Sequence, residues 1–359
     1  MARLEGFVVA PPGLEGVLKD ELSTLGVRAL QLTVGGVAFM GGWREVYGIN
    51  LSSRVAGRIL VRVARLAAHS FKELSRGLSR IAWEGWLDPS KGASISISTR
   101  KTRLYHTGKL EEIFREATGL GTGEGANLLM RISGDKCLIS LDTSGEHLHR
   151  RGYRVLAGDA PLRENIAAGL LLAAGYDGSR PLLDPCCGSG TFGVEGAMIS
   201  LGLAPGLGRS FAFETLPSFD SEGWSGLKEK ALKGASKKLR APILINDISS
   251  DAVALARASA VSAGVGEMLE ISQEDMESLK PPSGSRGVLI ANPPYGVRLG
   301  RPGEVYGKIT HLLAGPFKGW RWGVIALRRG VYNLPNGASE CIDFTSGGLS
   351  LAFHMGGMP

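Results

Sequence analysis

The sequence predicts an α/β chain: a parallel, doubly wound sheet in its second half, preceded by a mixed α+β half. Three observations carry this. From Pro181 onward, short apolar runs alternate with helical stretches, the pattern of repeated βα units. Upstream, period-2 runs such as Ser94 to Ser98 sit among amphipathic stretches, which marks half-buried strands beside helices. The charge divides near the same place. Residues 1–157 hold 22 Lys+Arg against 15 Asp+Glu, the whole net charge of +7, and residues 158–359 hold 19 of each.

The first half reads in order. Leu14, Val17, Leu18, Leu22 and Leu25 recur at helical spacing until Gly26. Strand-like stretches follow at 29–34 and 36–39, then a helix over 44–51. Residues 55–67 are β-branched and basic, and Phe71, Leu74, Leu78, Ile81 and Ala82 share an apolar face. A helix is expected over 109–118 and a strand over 137–141. Residues 144–159, with His147, His149, Arg150, Arg151 and Arg154, lack apolar periodicity and read as a basic linker. Ala160-Pro161-Leu162 then opens a helix with Pro in its first turn.

In the second half, strands are expected at 182–183, 243–245, 268–271, 288–290 and 323–326, with helices at 192–201, 250–263 and 306–313. A closing strand pair is expected at 341–344 and 349–353. Between the first two strands, residues 204–241 form an insertion. It carries Trp224, Leu227, Ala231, Ala235 and Leu239 as a helical stripe beside a lysine-rich face.

Composition excludes several classes. Hydrophobic residues at 43% and charged residues at 21% describe a globular chain. No run reaches ~18 apolar residues, so no membrane span is expected. Pro11-Pro12-Gly13 interrupts the start before a signal-peptide core forms, and a cytoplasmic protein is expected. The four cysteines form no CxxC pair, which predicts neither a disulfide framework nor a metal site.

The chemistry concentrates in two runs. Asp184-Pro185-Cys186-Cys187-Gly188-Ser189-Gly190-Thr191 follows a strand and opens a helix. Small residues there let a ligand approach the backbone and the free N–H groups of the helix start. It lacks the Gly-Lys-Ser/Thr of a P-loop. Asp247 and Asp275 stand at the ends of the next two strands, where a carboxylate suits ribose hydroxyls or an adenine amine. Each acid alone also reads as a helix cap. The second run, Asn292-Pro293-Pro294-Tyr295-Gly296, ends the fourth strand. Its prolines stiffen the loop and leave carbonyls free as acceptors. Asn292 adds an amide oxygen and Tyr295 a stacking surface. Two acceptors can hold both hydrogens of an exocyclic base amine and aim its nitrogen.

These runs resemble the class I S-adenosylmethionine methyltransferases that act on exocyclic amines. With residues 142–146, 151–154, 160–167 and 204–214, the chain resembles the THUMP-domain RNA methyltransferases, and among them the bacterial enzymes that make N2-methylguanosine in 23S ribosomal RNA. The resemblance implies a Rossmann-like, seven-stranded methyltransferase domain over 160–359. It further implies a ferredoxin-like domain over 1–55, a THUMP domain over 56–145 and a linker over 146–159. It implies S-adenosylmethionine held by Pro161, Asn165, Asp184, Pro185, Cys186, Gly188, Ser189, Gly190, Thr191, Asp247, Ile248, Asp275, Met276 and Asn292. Asn292, Pro293, Pro294 and Tyr295 would position a flipped guanine. Lys101, Arg103, Lys109, Arg151 and Arg154 would contact RNA phosphates. No metal is implied. Asn246 stands where the family commonly has a small residue. A transfer-RNA substrate, methylation of a protein glutamine and a non-catalytic RNA-binding role stay open as alternatives.

Overall fold

The computed structural model describes residues 3–154, 162–283, 285–294, 302–330, 334 and 338–357. The first half contains β1 (Leu4–Val9), α1 (Glu15–Thr24), β2 (Gln31–Thr33), β3 (Gly36–Gly41), α2 (Trp43–Ser52), β4 (Arg58–Ala67), α3 (Phe71–Leu78), β5 (Ser94–Arg100), α4 (Thr107–Thr118), β6 (Asn127–Ser133) and β7 (Lys136–Asp142). These strands form one seven-stranded sheet in the order β2-β3-β1-β4-β7-β6-β5. The sequence suggested a break near residue 55. In the structure β4 pairs with β1 on one side and β7 on the other, so the two α+β units share one sheet. Strand β6 was not foreseen, because its Leu128, Met130 and Ile132 are buried between flanking polar residues in a short run.

The second half contains α5 (Glu164–Ala173), β8 (Leu182–Asp184), α6 (Thr191–Leu201), α7 (Ser221–Gly234), β9 (Ile243–Asn246), α8 (Ser250–Ser262), β10 (Glu270–Ser272), β11 (Val288–Ala291), α9 (Pro302–Ala314), β12 (Arg321–Leu327), β13 (Ala338–Ser346) and β14 (Leu349–Gly356). The sheet order is β10-β9-β8-β11-β12-β14-β13. Strands β8 to β12 pair in parallel, and the hairpin β13–β14 closes the sheet antiparallel. This is the expected Rossmann-like methyltransferase sheet. The chain winds outward from β8 to β10, then restarts at β11. Such a switch point opens a crevice at the carboxyl ends of the two central strands.

Helix α6 lies close on this sheet through small residues. A side chain added at Gly193 would stand 2.6 Å from Ile245, and one at Gly196 would stand 2.5 Å from Leu182. Helix α5 begins at Glu164, after Arg163 in extended backbone, later than expected. Helix α7 ends at Gly234, which leaves Ala235 and Leu239 outside the predicted stripe.

The segment read as a linker is packed between the halves. The Arg151 side chain is 3% exposed, and its Nε lies 3.5 Å from Oε1 of the fully buried Glu195 on α6. The Tyr153 hydroxyl donates to the same oxygen at 3.1 Å. Arg151 also donates to the carbonyls of Leu148 and Arg54. This corrects the reading of Arg151 as a phosphate contact: its guanidinium serves the interior. Charge-bearing residues that pair inside give no apolar period, so the sequence pattern missed them.

The insertion docks across the same boundary. Phe213 lies 4.5 Å from the Tyr47 ring, 5.2 Å from Phe211 and 5.1 Å from Trp224. The Gly206 N–H donates to the Leu51 carbonyl and the Phe213 N–H to that of Thr143. One hydrophobic core runs through both halves.

Removing one partner of a buried ion pair strands the other charge. Arg151→Ala should therefore lower unfolding stability by about 3–5 kcal/mol, read from urea denaturation. The double variant Arg151→Met/Glu195→Leu should lose less. Equal losses would show that packing, rather than the charge, sets the cost.

Candidate active site

The residues singled out at strand ends converge on the crevice between β8 and β11. Leu183 of β8 pairs with Leu289 of β11, which sets Asp184 and Asn292 at neighbouring carboxyl ends. The backbone N–H of Asn292 is near enough to the Cys186 thiol to oppose its upward shift, so the two loops lie side by side. Gly188 and Gly190 adopt φ of 52° and 77°, in the left-handed region that only glycine enters freely. A side chain at Gly188 would meet no atom within 4 Å, whereas one at Gly190 would stand 3.0 Å from Ala256. The first glycine faces open space and the second lets α8 approach.

Asp184 is 1% exposed. Its Oδ1 accepts from the Cys186 N–H at 3.3 Å. Burial holds its carboxyl well above the ordinary range, and the nearby Asp247 pushes it the same way. No described Lys or Arg forms an ion pair with it. Burial also pushes the Cys186 and Cys187 thiols up, so neither is a ready thiolate.

Asp247 accepts from the Gly188 N–H at 2.9 Å and the Ser249 N–H at 3.0 Å, tying the glycine loop to the end of β9. Beside it, Asn246 is 1% exposed and clamps the loops that follow β8 and β10. Its Nδ2 donates to the carbonyls of Pro185 and Glu274, and its Oδ1 accepts from Ser272 Oγ and the Glu274 N–H. The sequence noted Asn246 only as a departure; a buried amide next to a site acid was the available signal. Asp275 accepts from the Glu277 N–H at 3.0 Å and from Lys308 Nζ, and this lowers its carboxyl. Met276 is partly buried on the turn that follows, and Ile248 is 71% exposed.

Asn292 carries a buried side-chain oxygen with no hydrogen-bond partner. Pro293 is buried and Pro294 half-buried. Tyr295 and Pro161 lie outside the described residues. Asn165, 4% exposed, donates from Nδ2 to the Val55 carbonyl at 3.2 Å and leaves its Oδ1 without a partner. Thr191 Oγ1 lies 3.4 Å from Ser189 Oγ and accepts from Arg154 at 3.3 Å. Arg154 also donates to the Leu162 carbonyl and pairs with Glu164 at 3.3 Å. It thus braces the starts of α5 and α6. Lys101, Arg103 and Lys109 stand apart in the first half, exposed, with Lys109 paired to Glu112 at 2.9 Å. Among the described residues no cluster of His, Cys, Asp and Glu is set to hold a metal. No described helix is long and apolar enough to cross a membrane.

Comparison with known proteins agrees with this geometry. A family described as "RMKL-like, methyltransferase domain" matches residues 151–327, and the "RlmL ferredoxin-like domain" matches residues 5–60. A Synechocystis protein named as a candidate RNA methyltransferase is 32% identical over 88% of this chain and 86% of its own length. The chain belongs to the RMKL-like methyltransferase family. The ribosomal RNA large subunit methyltransferase K/L of Psychromonas ingrahamii is 35% identical over 90% of this RMKL-like chain and 46% of its own. The chain thus spans about half the length of most of the curated relatives it matches. In structure it resembles SMU.472, a candidate methyltransferase crystallised with SAH: TM-score 0.86, 28% identity, covering 100% of this chain and 99% of the other.

The raised Asp184 carboxyl gives a pH test. A carboxyl whose value is higher folded than unfolded favours folding while protonated. That contribution fades as pH rises above the unfolded value of about 3.9. Asp184→Asn should therefore melt higher than the parent in ligand-free protein at neutral pH, and the gap should widen from pH 4 upward. Thermal melts of both proteins across pH 4–8 check this; a gap independent of pH would contradict it.

Proposed function

We propose that this chain methylates the exocyclic N2 amine of a guanine in RNA, with S-adenosylmethionine as methyl donor and large-subunit ribosomal RNA as substrate. The observation that carries the reading is the unpartnered, buried Oδ1 of Asn292 beside the buried, cation-free Asp184. A buried acceptor without a partner costs about 1–3 kcal/mol, and a ligand amine would satisfy it.

The residues present fit S-adenosylmethionine. Asp184 is a buried carboxylate without a counter-charge, suited to the donor's cationic methionine end. The open backbone at Gly188 leaves room for close approach. Asp247 suits the ribose hydroxyls, and Asp275 and Met276 the adenine. When bound, the donor supplies a methyl group on a sulfonium. The chain's own part is positioning. Asn292 Oδ1 and the Pro293 carbonyl accept the two amine hydrogens and aim the nitrogen. Pro294 stiffens the loop, and Tyr295 offers a ring for the extruded base.

The relatives named for large-subunit ribosomal RNA support the substrate reading, as does a first half that holds the whole net charge. Within that half we read residues 56–145 as a THUMP domain, with Lys101, Arg103 and Lys109 on RNA phosphates.

Nucleoside mass spectrometry after incubation with S-adenosylmethionine and unmodified RNA tests the proposal. Expected are N2-methylguanosine in ribosomal RNA and little in transfer RNA. Asn292→Ala should slow transfer about 100-fold or more while RNA binding is kept. Undiminished turnover in that variant, or a methyl group on adenine, would overturn the assignment.

A further inference from the structure

The open face of the first sheet carries a trough of about 810 Å³, apart from the crevice of the second sheet. Arg62, Arg100 and Arg131 line it, with no Asp or Glu among the lining residues. Strand register explains the arrangement. Arg62, Ser140, Leu129 and Ser96 stand side by side across β4, β7, β6 and β5. In the next row stand Arg65, Leu138, Arg131 and Ser98, and in the one after, Lys136, Ser133 and Arg100. Same-face rows on a sheet lie about 7 Å apart, so a cation recurs at that interval, with Leu129 beside it in the first row and Leu138 in the second.

Two further observations mark the trough as a site. The Arg62 guanidinium lies 4.6 Å from the Phe7 ring centroid and donates from Nη1 to Ser140 Oγ at 2.8 Å, yet its Nε is buried without a partner. It is a cation held in place with a donor to spare. Arg65 is the one row member matched by an acid, Glu5. At one end the Arg100 row runs into the 101–106 turn, where Lys101 and Arg103 are exposed and Tyr105 is 62% exposed. At the other end Pro12 adjoins Gly13, whose backbone abuts the Asp343 carbonyl on β13 of the catalytic half.

We propose that this trough binds an extended, single-stranded segment of the substrate RNA, phosphates on Arg62, Arg131 and Arg100 and base faces on Leu129 and Leu138. An extended strand presents phosphates along one edge and flat base faces along the other, and the first two rows set a leucine beside a guanidinium at successive steps. The inference rests on the RNA reading above and adds the surface and the form of RNA it takes.

Arg100→Glu/Arg131→Glu tests it, because among the described residues neither side chain has a hydrogen-bond or ion-pair partner. A fluorescent mixed-sequence single-stranded RNA is titrated by anisotropy at several salt concentrations, with melting temperature as the folding control. The variant should melt like the parent and bind at least tenfold more weakly. Its log K against log salt slope should be shallower by about 1.4, two single-strand phosphate contacts at about 0.7 each. Parent-like affinity in a folded variant, with the loss seen instead in Lys101→Glu/Arg103→Glu, would overturn the trough while leaving the RNA reading intact. Failure of the parent itself to bind RNA would overturn both. Binding of a poly-glutamate peptide that RNA does not compete away would assign the trough to an acidic protein.

Discussion

A single buried carboxylate fixes the relation between the two halves. Glu195 sits without solvent contact on α6, the helix that begins at the glycine loop. Its ion-pair partner Arg151 and hydroxyl donor Tyr153 come from the segment that joins the halves. A charge taken out of water must be matched where it stands. The joining segment therefore cannot swing without stranding Glu195. The helix under the site and the basic half share one anchor.

The insertion completes that constraint from the other side of the boundary. Its Phe211 and Phe213, together with Tyr47 of α2, pack edge-to-face on Trp224, an arrangement that adds to plain area burial. Arg54 donates to the carbonyls of Met198 and Leu203, at and just beyond the end of α6. With one apolar core running through both halves, the crevice and the guanidinium rows of the first sheet keep a set geometry. A rigid spacing between the two surfaces is what the proposed positioning chemistry needs.

Within the crevice, the loops are held by each other rather than by ligand. Asn246 uses its amide hydrogens and its oxygen on the two loops that follow β8 and β10, and each oxygen of Asp247 accepts from a backbone N–H. Against that satisfied frame, the empty acceptor of Asn292 and the uncompensated Asp184 stand out. A buried acceptor left unmet in an otherwise satisfied frame is open to a ligand's donor.

The sequence by itself determined the parallel sheet, because βα alternation is a local pattern. It also placed Asp184, Asp247 and Asn292 at strand ends, because each follows an apolar run directly. Only the tertiary structure decided that the two small α+β units share one sheet through β4, since strand pairing across distant segments leaves no local mark. It likewise turned the basic linker into a buried ion-pair seam and took Arg151 out of the surface. Whether a charge faces water or an opposite charge depends on what packs over it. The guanidinium rows of the first sheet arise in the same way. Arg62, Arg100 and Arg131 are scattered along the chain, and only cross-strand register sets them on one face.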